Sequence, residues 1–316
     1  MVINNFIFHL FELLWGLSAE YLAMQAVLIK LILYLCAYLP LPVLHGFGAL
    51  TGWFLIHTQN RSRKTSEINI GLCFPEMPAT EQRRLVRRSL VETGKTIFET
   101  SALWLRSGKS SLRLIKEVEG DELVDRAMQA GKGVILATPH LGAWEGAGLY
   151  CAHKYNITCL YRPPKISGLE QLVTKARSRV GGTYVPANTR GIRTLYATLD
   201  RGGVVAMLPD QEPQQGTGMF APFFGIPAYT MVFLGRLAAK TGAAVIFTWC
   251  ERLPLGRGYR LHFRQAPAAI HSLNITEAVA ATNLAVEQCV RECPAQYQWS
   301  YRRFRTRPDK ERSFYK

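Results

Sequence analysis

The sequence predicts an α/β protein, a mostly parallel sheet flanked by helices, preceded by an apolar helical segment. Three observations lead there. From about Leu114 onward, short β-rich runs alternate with helical runs, the pattern of a layered sheet-and-helix domain. The strand runs are apolar throughout rather than alternating, as in strands covered on both faces. The first 60 residues stand apart, with no Lys, Arg, Asp or Glu from Leu31 to Asn60. Hydrophobic residues make up 48% of the chain and charged residues 19%, which excludes a disordered chain. Its Gly and Pro fall in no repeat, which excludes a collagen-like one.

Taken in order, residues 1–60 read as a membrane-associated helical segment and 61–316 as the α/β domain. Met1 to Val27 carries only Glu12 and Glu20. A bilayer crossing needs roughly 20 mostly apolar residues, and Tyr21 to Leu44 supplies them. Lys30 near its middle and Pro40 and Pro42 near its end work against one straight span. Helices lying in the interface, or covering a soluble core, are the alternatives. A basic n-region and a small-residue cleavage site are both missing, so this is not a signal peptide. Arg61, Arg63, Lys64, Arg83, Arg84, Arg87 and Arg88 follow at once; seven basic against three acidic residues give 61–88 a net +4. By the positive-inside rule that flank places the domain on the cytoplasmic side of a membrane. The tail 301–316 adds seven basic and two acidic residues, net +5, so the two stretches hold nine of the fifteen surplus charges. Such stretches beside an apolar segment suit an anionic membrane surface.

A helix is expected over 81–106. Strands follow at 115–118, 133–137, 157–161, 183–185, 204–208, 244–250 and 259–263. Between and after them come helices at 121–129, 143–153, 169–179, 190–201, 232–240 and 275–292. The seven cysteines are an odd number in a long chain and read as small core residues in a reducing compartment. Cys289 and Cys293 are one helical turn apart, but no His or Cys pair completes a zinc signature, and no metal is expected.

Chemistry concentrates after the strand 133–137. Thr138 and Pro139 end it, His140 stands at its exit, and a helix carrying Glu145 begins. The carboxyl ends of strands in open α/β sheets are where ligands bind. Residues five apart on one helix diverge by about 140°, so His140 and Glu145 meet only if His140 lies in the turn before the helix. There Glu145 would hold one ring nitrogen and leave the other as a general base for a hydroxyl. Asp210 follows the strand 204–208, also at a carboxyl end, and is expected to bind His140, Arg162 or neither. The sequence has no G-x-S-x-G, P-loop, H-E-x-x-H or G-x-G-x-x-G segment. A covalent serine or metal mechanism therefore has no visible support, and no cofactor is expected.

Thr138-Pro-His-Leu-Gly-Ala-Trp-Glu145 resembles the first motif of the lysophospholipid acyltransferase superfamily and, more narrowly, of the lipid A late acyltransferases. Further blocks stand in family order. They are Asn69-Ile-Gly-Leu-Cys-Phe-Pro-Glu76, Tyr161-Arg-Pro-Pro164, Leu208-Pro-Asp-Gln-Glu-Pro213, Pro222-Phe-Phe-Gly225 with Thr230, and the stretch from Gln296 to Pro308. The resemblance implies a glycerolipid acyltransferase-like fold. It also implies transfer of an acyl chain from acyl carrier protein to a hydroxyl of a 3-hydroxyacyl chain on a phosphorylated glucosamine disaccharide, at the bacterial inner membrane. In the matching positions His140 is the base and Glu145 its orienter. Backbone N–H groups near Gly142 would stabilise the oxyanion, Arg162 would pair with a substrate phosphate, and Gln211 is a further binding candidate. Phe220, Phe223 and Phe224 would line an acyl groove or pack in the core. The net charge of +15 suits an acidic carrier protein, an anionic lipid acceptor and the membrane.

Rival readings remain: transfer to another acceptor such as a lysophospholipid, ornithine lipid or glycolipid, or a basic protein without catalysis. A nucleic-acid partner is not expected, because no basic module interleaved with aromatics is present and the apolar first 60 residues fit it poorly.

Overall fold

The computed structural model describes residues 19–161 and 170–315. Helices α1 (Ala19–Ala37) and α2 (Leu41–His57) are separated at Pro40, with Pro42 in the first turn of α2, where its missing N–H costs nothing. Helix α3 (Arg61–Cys73) begins at Asn60, whose side chain accepts from the Arg63 amide, a standard N-cap. The 27-residue α4 (Ala79–Leu105) runs beneath all three. Helix α2 lies against α4 at backbone contact. A Cβ on Gly48 would sit 2.4 Å from Lys95 Cα, and one on Gly52 2.4 Å from Val91 Cα.

A short α5 (Gly108–Leu112) leads into a seven-stranded sheet. The domain then reads β1 (Ile115–Glu119), α6 (Glu122–Gln129), β2 (Val134–Ala137), α7 (Trp144–Tyr155), β3 (Thr158–Tyr161) and α8 (Glu170–Ser178). Next come β4 (Thr183–Pro186), α9 (Thr189–Asp200) and β5 (Val204–Met207). A hairpin of β6 (Gly218–Phe223) and β7 (Ile226–Met231) precedes α10 (Phe233–Thr241), β8 (Ala244–Arg252), β9 (Tyr259–Gln265) and α11 (Ile275–Glu292). Sheet order is β1-β9-β8-β2-β5-β3-β4, and every pairing is parallel except β8 with β9.

The expected α/β class and mostly parallel sheet are therefore present, and each expected strand lies within two residues of an observed one. The hairpin β6–β7 was not foreseen. Pro222, Gly225 and Pro227 break its run, and it forms its own two-stranded sheet, where a proline costs few ladder bonds.

Period-two alternation divides the core. Ile135, Ala137, Val205 and Phe247 face one layer with α9, α10 and α11. Val134, Leu136, Val204 and Ile246 face the other with α7 and with Leu41 and Leu44 of α2. Among the described residues no helix is long and apolar enough to cross a membrane, so a membrane-crossing anchor has no support in this fold. The first two helices and the turn between them nevertheless expose Leu31, Leu35, Tyr38, Val43, Phe47, Leu50, Trp53 and Phe54.

Candidate active site

Strands β2 and β5 pair in parallel with Ala137 opposite Met207, and the Thr138 amide extends the ladder to Met207 O at 2.9 Å. His140 and Asp210 each lie three residues beyond these partners, so the register delivers both to one point at the carboxyl end of the sheet. His140 Nδ1 is 2.8 Å from Asp210 Oδ1, and the His140 amide donates to Asp210 Oδ2 at 2.9 Å. Both residues are buried. The bidentate grip fixes the ring, and the carboxylate favours the Nδ1–H tautomer. Nε2 makes no hydrogen bond among the described residues and is not among the buried polar atoms without a partner, so it stays accessible. Burial pushes the Asp210 carboxyl up, but the charge and hydrogen bonds of His140 outweigh it and hold the carboxyl below its ordinary value. Burial and the Asp210 charge together hold the neighbouring Tyr297 phenol well above its usual range.

Glu145 is not the partner of His140. Its carboxylate is taken by Trp104 Nε1 at 3.0 Å and by Arg177, through Nε at 3.1 Å and through Nη2. Burial raises this carboxyl, and Arg177 and Trp104 more than reverse the effect. In the first turn of α7 the side chain bonds to residues of α4 and α8. The Glu145–Arg177 pair thus ties α7 to α8, the helix that follows residues 162–169. Arg162 lies outside the described residues.

Gly142 has φ +62°, and a Cβ there would fall 2.0 Å from Cys250 O, so only glycine fits. Its N–H donates to Gln296 O at 3.1 Å, and the next amide, Ala143, donates to Cys250 O at 2.7 Å. Of the backbone N–H groups near Gly142, those of Gly142 and Ala143 are therefore already engaged. Helix α7 itself starts without a side-chain cap, which leaves first-turn amides of Trp144 and Glu145 as donors. Trp144 also packs against the His140 ring, centroids 5.3 Å apart.

Beneath this turn lies a buried ionic cluster. Arg252 donates from Nε and Nη2 to Glu99 at 2.9 and 2.6 Å, and from Nη2 to Gly142 O at 3.1 Å. Glu99 also meets His45 Nε2 and Tyr259 OH, each at 3.1 Å. Although burial opposes it, Arg252 and His45 lower the Glu99 carboxyl to about 2. This chain of contacts runs from α2 through α4 and β8 to the residue two after His140.

The C-terminal stretch closes the site. Gln298 N donates to His140 O at 3.1 Å, and Gln211 Nε2 reaches Gln298 Oε1 at 3.3 Å. Glu212 is held by Tyr301 OH, Arg305 and Thr306. Not all tail arginines are a solvated basic strip: Arg303 is buried against Tyr229 O, Thr230 and Asn283, and Arg307 pairs with Glu311. Phe223 is in the core against Phe224, Tyr297 and Phe304, while Phe220 packs on Tyr229. The role of Gln296 and Gln298 as braces carries no local sequence signal, since both act through backbone groups of distant segments. Among the described residues no group of three or more His, Cys, Asp or Glu could hold a metal ion.

Residues 17–306 match the model of the bacterial lipid A biosynthesis acyltransferases. The chain is 30% identical to a lipid A biosynthesis lauroyltransferase of Escherichia coli K12, over 88% of this chain and 90% of that protein. It is 28% identical to the palmitoleoyltransferase of the same organism, over 90% and 92%. A phosphatidylinositol mannoside acyltransferase of Mycobacterium tuberculosis H37Rv is 29% identical over 58% of this chain and 60% of its own length.

Proposed function

The chain belongs to the bacterial lipid A biosynthesis acyltransferase family, and from that premise we propose that it moves a fatty acyl chain from acyl carrier protein to a hydroxyl of a 3-hydroxyacyl chain on a phosphorylated glucosamine-disaccharide lipid. The observation that carries the mechanism is the His140 ring, gripped at Nδ1 by Asp210 and open at Nε2. Nε2 takes the proton of the acceptor hydroxyl as its oxygen attacks the thioester carbonyl, and Asp210 stabilises the imidazolium. The tetrahedral oxyanion lies against the uncapped first turn of α7, whose partial positive charge suits it. The C–S bond then breaks, and the departing thiolate recovers the proton from His140. Because a thioester leaves readily, no acyl-enzyme is needed. Glu145 acts through Arg177, fixing α8 against α7. Arg162 pairs with an acceptor phosphate, and Gln211 helps hold the C-terminal brace.

The same reading places the protein on the cytoplasmic face of the inner membrane, its exposed α1 and α2 residues lying in the interface. Acyl carrier protein is acidic, and a surplus of +15 speeds encounter with it and with an anionic lipid. The mannoside acyltransferase relative favours a second reading in which the acceptor is another glycolipid. Mass spectrometry of lipid A from a strain lacking the gene separates them: loss of one secondary acyl chain supports the first reading, and unchanged lipid A supports the second. An assay of the purified protein with acyl carrier protein thioester tests the mechanism directly.

A further inference from the structure

We propose that a cavity between the start of α3 and the C-terminal tail binds the phosphate of an anionic membrane glycerophospholipid, at a site separate from acyl transfer. The cavity measures about 680 Å³ and is lined by Asn60, Arg61, Arg63, Lys64, Arg302 and Tyr315, among others. Among the described residues Glu67 is its one acidic wall residue, and it is engaged by Arg63 at 2.8 Å. Four basic residues and one acidic residue give the wall a net +3. None of the residues bonded to His140 or Asp210 lines it.

Two features make this a prepared site rather than a charged surface. Among the described residues neither Lys64 nor Arg302 enters an ion pair, and Arg302 Nε is buried with no acceptor. The Arg302 guanidinium is also held in place, 5.5 Å above the Tyr315 ring. Tyr315 is fixed in turn by bonds of 2.6 Å to Asn69 and 3.0 Å from the Phe304 amide. A planar cation so oriented suits a phosphate better than a mobile one does.

The choice of a lipid over a free anion comes from what adjoins the cavity. Val43, Phe47, Leu50 and Phe54 are exposed at helical spacing along α2 and lead to Gln59 at the cavity rim. Acyl chains along that stripe and a phosphate among the arginines use both surfaces at once; inorganic phosphate uses only one. The inference rests on the membrane placement proposed above but not on the chemistry at His140.

The test uses the full chain and flotation with vesicles of phosphatidylcholine, alone or with phosphatidylglycerol. Lys64→Gln with Arg302→Gln should weaken binding to the anionic vesicles roughly thirtyfold, the usual contribution of two basic residues at such a surface. Binding to neutral vesicles should not change. Arg190→Gln with Arg193→Gln removes the same charge from exposed positions on α9 and should leave binding as it was. Arg302→Lys, which keeps the charge but loses the planar group held over Tyr315, should lose part of the affinity. Lys64→Gln alone, at an exposed position, still tests the site if the double variant melts early. Equal losses in both double variants would reduce the cavity to general attraction and overturn the proposal. So would protection against heat by inorganic phosphate alone without any preference for anionic vesicles, which would make the ligand a free anion. Acyl transfer to detergent-dispersed acceptor, measured on the same preparations, keeps the two readings apart. Absent transfer with vesicle binding lost only in the cavity variant sinks the catalytic reading and leaves this one standing.

Discussion

At His140 the relevant question is which carboxylate holds the ring. Asp210 does so through two bonds, while Glu145 faces Arg177. His140→Ala should lower acyl transfer at least a hundredfold, the usual contribution of a general base, with little change in melting temperature. Asp210→Asn should also cost a hundredfold or more, because an amide can hold the ring in the wrong tautomer. Glu145→Gln should behave differently. It leaves Arg177 without its buried partner and should cost on the order of 3 kcal/mol of stability, visible in denaturant unfolding. Glu145→Gln with wild-type stability and a hundredfold loss of turnover would return it to His140. The sequence made His140 and its strand-end position legible, and Asp210 as a neighbour in the same cleft. It did not reveal the partner of Glu145, since Trp104 and Arg177 stand 41 and 32 residues away and only the packing of α4 and α8 brings them together.

Among elements, the α2–α4 contact carries the clearest stability prediction. Gly52→Ala would force a methyl to 2.4 Å from Val91 Cα, so the helices must separate at a cost of about 1–3 kcal/mol. Calorimetry should show a lower melting temperature. The Glu99 cluster predicts a pH dependence. The Glu99 carboxyl is depressed from 4.5 to about 2, so the folded state binds its proton less readily than the unfolded chain. Its contribution is full above about pH 4.5 and is lost as pH falls toward 2. Glu99→Gln should flatten that acid limb while lowering stability at neutral pH. The strands were legible because buried apolar runs such as Val134–Ala137 permit few other readings. The hairpin β6–β7 was not, because Pro222 and Pro227 argue locally against pairing that the α11 and C-terminal contacts enforce.

Across the whole molecule, charge is arranged less simply than the composition suggests. Arg303 and Arg307 are internal struts, whereas Arg83, Arg84, Arg87 and Arg88 are all exposed on α4. If those four serve anionic partners, turnover at low substrate should fall between low and physiological salt, where screening shortens to ~8 Å. Replacing the four by Gln should lower turnover at low salt and remove most of that dependence. An unchanged salt profile would place the attraction elsewhere on the surface.

The equal offset of His140 and Asp210 from one strand register also dictates when activity can appear. The two residues are 70 apart in the chain, and neither has its partner until β2 and β5 zip together in the centre of the sheet. Helices form early because their contacts are local, whereas parallel pairing across such a separation closes slowly. On dilution from denaturant, acyl transfer should therefore return with the slowest folding phase, well behind the recovery of helical circular dichroism. Turnover returning ahead of that phase would mean that the pair assembles before the sheet does.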